Sequence, residues 1–74
     1  MRDMDADVAE AMEIAWEQNR ASSAMFQRRM RLGYMDASRL MDELERRGYV
    51  GPMRGWEPRK ILIPKPNGQA EAGR

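Results

Sequence analysis

The sequence predicts a mainly α domain, three helices followed by a small β-hairpin. Three observations carry this. Apolar residues recur at helical spacing in three successive stretches between residues 5 and 47. Capping and turn residues separate those stretches. After Gly48 the pattern changes to short β-branched and aromatic runs around a loop rich in Gly and Pro.

The elements follow in order. Asp3, Asp5 and Asp7 supply capping oxygens and negative charge for a helix N-terminus. Val8, Met12, Ala15 and Trp16 then mark the buried side of a first helix over roughly 5–18, with Glu10, Glu13 and Glu17 mostly opposite. Asn19-Arg20-Ala21 closes it. Ser22 and Ser23 are N-cap residues for a second helix over roughly 23–30, with Met25, Phe26 and Met30 apolar. Gly33 is expected to make the turn, since glycine takes positive φ without strain. A third helix runs over roughly 34–47, where Ala37, Leu40, Met41 and Leu44 keep the i, i+3, i+4, i+7 spacing of a core-facing stripe. Gly48 is the expected residue just past its end. Tyr49-Val50 and Lys60-Ile61-Leu62-Ile63 read as two strands around the loop 51–58. Helix, helix, turn, helix and hairpin is the order of a winged helix-turn-helix. The expected division is a lead-in over 1–4, the winged-helix domain over 5–63, and a flexible tail over 64–74, where Pro64, Pro66, Gly68 and Gly73 cluster.

Composition narrows the chemistry. Seventy-four residues allow one small domain with a thin stability margin. The chain has no Cys and no His, which removes disulfides, the usual zinc sets and a His general base. No cofactor is expected. The serines lack a base partner, no phosphate-binding glycine loop is present, and the carboxylates have pairing or capping explanations, so an enzyme is not expected. No apolar run approaches the roughly 18 residues of a membrane span, and the acidic N-terminus lacks a signal-peptide core. A cytoplasmic setting fits, with no membrane contact.

The net charge of +1 hides a strong pattern. Residues 1–19 hold six acids and one Arg, residues 20–34 four Arg and no acid, and residues 49–65 four cations and one acid. Two basic blocks are what a polyanion would meet. Arg28, Arg29 and Arg31, beside the turn, are candidates for DNA phosphates; a solvated helix end is the plain alternative. Arg54, Arg59 and Lys60, around the hairpin loop, are candidates for the backbone or a minor groove, against a role in discouraging strand-to-strand aggregation. Arg39, on the outward side of the third helix, suits guanine O6 and N7, or an ion pair with Asp36 or Glu43. Met35 falls at the outward start of that helix, where base-reading residues sit. Asp42 would be repelled by phosphates unless it accepts from cytosine N4. Asp42–Arg46 and Glu43–Arg47 have the spacing of helix ion pairs. Trp56, near the loop tip, suits a sugar, a partner or the hairpin base.

The run Gln27-Arg28-Arg29-Met30-Arg31-Leu32-Gly33-Tyr34, with Ala37, Arg39, Leu40, Met41, Asp42, Glu45, Gly48, Val50-Gly51-Pro52, Gly55, Pro58-Arg59 and Ile61-Leu62, resembles the C-terminal gamma domain of the FtsK/SpoIIIE DNA translocases. The likeness covers residues 5–63 or so. It implies a winged helix that binds short, guanine-rich, polar sites on double-stranded DNA, which orient a translocating motor in chromosome segregation at cell division. It also implies several copies side by side on one site and, in some members, contact with a tyrosine recombinase. Under the resemblance Arg28, Arg29, Arg31, Arg59 and Lys60 grip phosphates, and Arg39 matches a base-reading arginine. The family's Gly-Tyr-Asn-Arg-Ala-Ala-Arg stands here as Gly33-Tyr34-Met35-Asp36-Ala37-Ser38-Arg39, and Asp42 replaces a glutamate. These changes put the base preference at issue. Residues 1–74 carry no ATPase motif, so the chain is expected to be an excised domain or a free-standing DNA-binding regulator. The rival class is a protein-interaction module whose acidic N-terminal block and acidic patches on the third helix face a basic partner, such as a recombinase or a motor.

Overall fold

The computed structural model describes residues 3–55 and 57–66. It contains α1 (Met4–Gln18), α2 (Ser23–Arg29) and α3 (Tyr34–Arg46), followed by the wing. The three predicted helices are all present, with ends within a residue or so of their expected positions. The expected roles of Trp56 and of tail residues 67–74 lie outside the described residues.

The helix ends explain the boundaries. Asp3 accepts hydrogen bonds from the backbone N–H of Asp5 and Ala6 at the start of α1. Asn19 ends the helix in the left-handed region, with φ 59°. Ser22 caps α2 by accepting from Met25 N–H at 3.1 Å. At the end of α3, Gly48 has φ +79°, its N–H donates to Glu45 O, and Tyr49 N–H donates to Leu44 O. That pair of bonds is the Schellman arrangement expected at a helix C-terminus.

The turn between α2 and α3 differs from expectation. Gly33 is the N-cap of α3 with φ −75° and ψ 171°, ordinary extended backbone. The positive φ falls on Arg31, at 57°. Leu32 is buried and its N–H donates to Gln27 O at 3.1 Å, which closes α2 two residues earlier than a Gly33 turn would. The left-handed region costs a residue with a side chain about 1–2 kcal/mol. Part of that is returned because arginine has less freedom than glycine in the unfolded chain. Arg31→Gly is therefore expected to raise stability by about 0.5–1 kcal/mol in urea unfolding.

Phe26, Leu40, Leu44 and Val50 are the largest fully buried side chains. Around them close Val8, Met12, Met25, Met30, Leu32 and Met41. Methionine fills the uneven gaps among three short helices. Trp16 is half-buried, and its indole N–H donates to Ile63 O at 3.0 Å. This ties the chain leaving the wing to α1.

The wing is less regular than two strands. Val50 and Ile61 form a single antiparallel bridge, flanked by bonds from Gly51 N–H to Lys60 O and from Leu62 N–H to Tyr49 O. On its other side the returning segment pairs with the α1–α2 connection, where Ala21 and Arg59 exchange both backbone bonds. Residues 59–62 are thus the middle of a three-segment miniature sheet, whose first segment the sequence did not signal. Pro52, Pro58 and Pro64 bracket the pairing and lack an N–H to extend it. At the tip, Glu57 N–H donates to Arg54 O across a turn with Gly55 at φ +59°.

Candidate nucleic-acid interface

Helix α3 has a clean division of faces. Ala37, Leu40, Met41 and Leu44 are buried. Met35, Arg39 and Asp42, spaced i, i+4 and i+7, are exposed on the opposite side. Tyr34 and Met35 are 69% and 64% exposed, unusual for large apolar side chains in a helix.

A cleft runs between this helix and the wing. Tyr34, Ser38 and Asp42 form one wall, Met53, Gly55 and Glu57 the other, and Arg59 reaches it from within. The wing tip therefore stands beside the outward part of α3. Arg54 and Lys60 line a second groove on the wing itself.

The predicted cations do not all serve one surface. Arg28, Arg31, Arg54 and Lys60 are exposed, and none has an ion pair among the described residues. Arg29 reaches back to α1, where it meets Glu17 at 3.0 Å. Arg59, expected on phosphates, is instead inside. Its side chain is 8% exposed, and it donates to Glu45 on α3 at 2.9 Å. The cause is local: the Ala21–Arg59 pairing turns this residue toward the helices, and Glu45 stands there to neutralise it. Nothing in the sequence flags a pair separated by 14 positions.

The acids sort as well. Arg39 is 4.0 Å from Asp36, a loose exposed contact that leaves the guanidinium in solvent. Arg46 pairs with Glu43, not with Asp42. Glu43 also accepts from Arg47 at 2.6 Å, and Arg47 continues to Asp5 on α1 at 2.6 Å. Asp42 has no ion pair among the described residues and faces the cleft. Hydrogen bonds from Arg46 and Arg47 pull the Glu43 carboxyl from its ordinary 4.5 down to about 2. A depressed folded-state value means the stabilisation is complete above pH 4.5 and is lost as pH falls toward about 2. Glu43→Gln is expected to lower stability at pH 6 and to flatten the acid limb between those values, as followed by helical circular dichroism.

Sequence reasoning placed Arg28, Arg31, Arg39, Met35, Asp42, Arg54 and Lys60 on the surface, where they are. It overlooked Tyr34 and Met53 as cleft walls. The available signal was a large apolar residue in each of two positions that no core stripe required. Among the described residues no helix is long and apolar enough to cross a membrane, and no cluster of acids is placed to hold a metal.

Three helices with a bridged wing docked on the third define a winged-helix domain. Residues 2–64 match the family model described as the Ftsk gamma domain, and the chain belongs to that family. It is similar to the protein named DNA translocase FtsK of Oceanobacillus iheyensis, 48% identical over 67 residues. That match covers 89% of this chain and 9% of the relative. The protein of the same name from Lactiplantibacillus plantarum is 47% identical over 68 residues, 92% of this chain and 9% of the relative. The one from Staphylococcus aureus is 48% identical over 63 residues, 85% and 8%. The chain thus spans less than a tenth of the length of these relatives.

Proposed function

We propose that this domain binds double-stranded DNA, with α3 in the major groove and the wing on the adjoining backbone. The observation that carries the reading is a set of exposed cations without ion pairs among the described residues: Arg28 and Arg31 in the segment leading into α3, and Arg54 and Lys60 on the wing. In this reading Arg39 reads a guanine edge, and the preferred sites are short and guanine-rich. The domain contributes recognition without catalysis and acts in the cytoplasm, where chromosomal DNA lies. One copy offers few contacts, so tight binding requires several copies side by side on one site.

With four cations on phosphates, log K should fall against log[salt] with a slope of about −3.6. Between about 50 and 200 mM salt that is roughly a 150-fold loss of affinity. Titration of a labelled duplex by fluorescence anisotropy measures it. A slope near zero rejects the proposal.

A second reading rests on α1, where Glu10 is exposed and Asp5, Glu13 and Glu17 stay exposed beside Arg47, Lys65 and Arg29. This acidic surface suits a basic protein, such as a recombinase or a motor. Neutralising Glu10 and Glu13 would weaken such a partner and leave DNA affinity unchanged or higher.

A further inference from the structure

We propose that Met35 reads a thymine 5-methyl group within one or two base pairs of the guanine contacted by Arg39, an assignment that rests on the DNA reading above. Met35 is 64% exposed on the first turn of α3, and the core on the opposite side is complete without it. Next to it Tyr34 is also exposed, and Met53 lies across the cleft from Tyr34. The outward start of α3 therefore presents an apolar spot.

Charge complementarity names the occupant. Exposed Arg28 and Arg31, in the segment leading into α3, and Arg54 and Lys60 on the wing draw a polyanion to the domain rather than an apolar protein surface. Within a major groove, base edges offer hydrogen-bonding atoms and one apolar group, the thymine methyl. A thioether has no donor and is only a weak acceptor. Its favourable partner there is that methyl. The register follows from helix geometry. Met35 and Arg39 are four residues apart, about 6 Å along the axis, which matches between one and two base-pair steps of about 3.4 Å.

The test uses the full chain and a site selected from randomised duplexes. Each thymine of that site is replaced in turn by deoxyuridine, which removes the methyl and keeps every hydrogen-bonding atom. One thymine near a guanine should show a loss of about fourfold in affinity, the effect of one buried methyl. Met35→Ala should lose a similar factor on the thymine duplex and become indifferent to deoxyuridine. Met35→Leu should keep the sensitivity. Selected sites without thymine, no effect of deoxyuridine at any position, or full sensitivity retained by Met35→Ala would overturn the assignment while leaving DNA binding in place. Absence of any duplex binding would sink both.

Discussion

Glu45→Ala should destabilise the domain more than removal of its buried partner. Glu45 is 45% exposed and looks dispensable, whereas Arg59 is 8% exposed. The physics runs the other way. Without Glu45 the Arg59 guanidinium stays inside with its charge unmatched, held by the Ala21 backbone pairing that its own backbone makes. Stranding a buried charge costs several kcal/mol, here reduced to about 2–4 because the pair lies at the edge of the cleft. Such a loss lowers Tm by more than about 10 °C in a domain of this size. Arg59→Met removes the charge, keeps an apolar stem in place, and frees Glu45 to water, so it should cost about 1 kcal/mol or less. Glu45→Gln retains an acceptor and should fall between. Thermal and urea unfolding of the three variants gives the order. Equal or reversed effects would mean that Arg59 finds solvent when Glu45 is absent.

Charge reversal at Arg28 and Lys60 should weaken DNA binding by about 50-fold or more without affecting the fold. The two residues come from different elements, Arg28 from the end of α2 and Lys60 from the wing. Each phosphate contact contributes about 1.2 kcal/mol at ~0.1 M salt through counterion release. Losing both reduces affinity by about 50–100-fold, and the salt slope falls from about −3.6 to about −1.8. Arg29→Gln is the internal control. Its charge is matched by Glu17 on α1, so the slope should hardly move. If the control matters as much as Arg28, the basic block acts as one diffuse patch. If neither reversal matters, the duplex does not lie across α3. Arg31→Gly adds a result of mixed sign, a more stable protein that binds DNA less well, as expected where backbone strain keeps a useful side chain in place.

The helices were legible because their signals are local. Asp3 and Ser22 cap where the sequence places caps, and the stripe of Ala37, Leu40, Met41 and Leu44 is the buried face of α3. The wing was legible in order but not in extent, since Pro58 and Pro64 limit pairing to single bridges. The positive φ falls on Arg31 and not on Gly33. Glycine is the default for that conformation, but here Leu32 must turn inward, which fixes the bend at Arg31. Among the candidate site residues, exposure followed from periodicity on α3 and failed at Arg59, while Arg29 is exposed but paired. Their partners, Glu17 and Glu45, come from other elements, and pattern reasoning has no access to such pairings.

The indole of Trp16 holds Ile63, and Glu45 with Ala21 holds Arg59, so the returning limb of the wing is fastened at both ends. Between those fastenings it serves as a rigid rail. A partner meeting this limb would find a preorganised edge and would not have to order an entire arm.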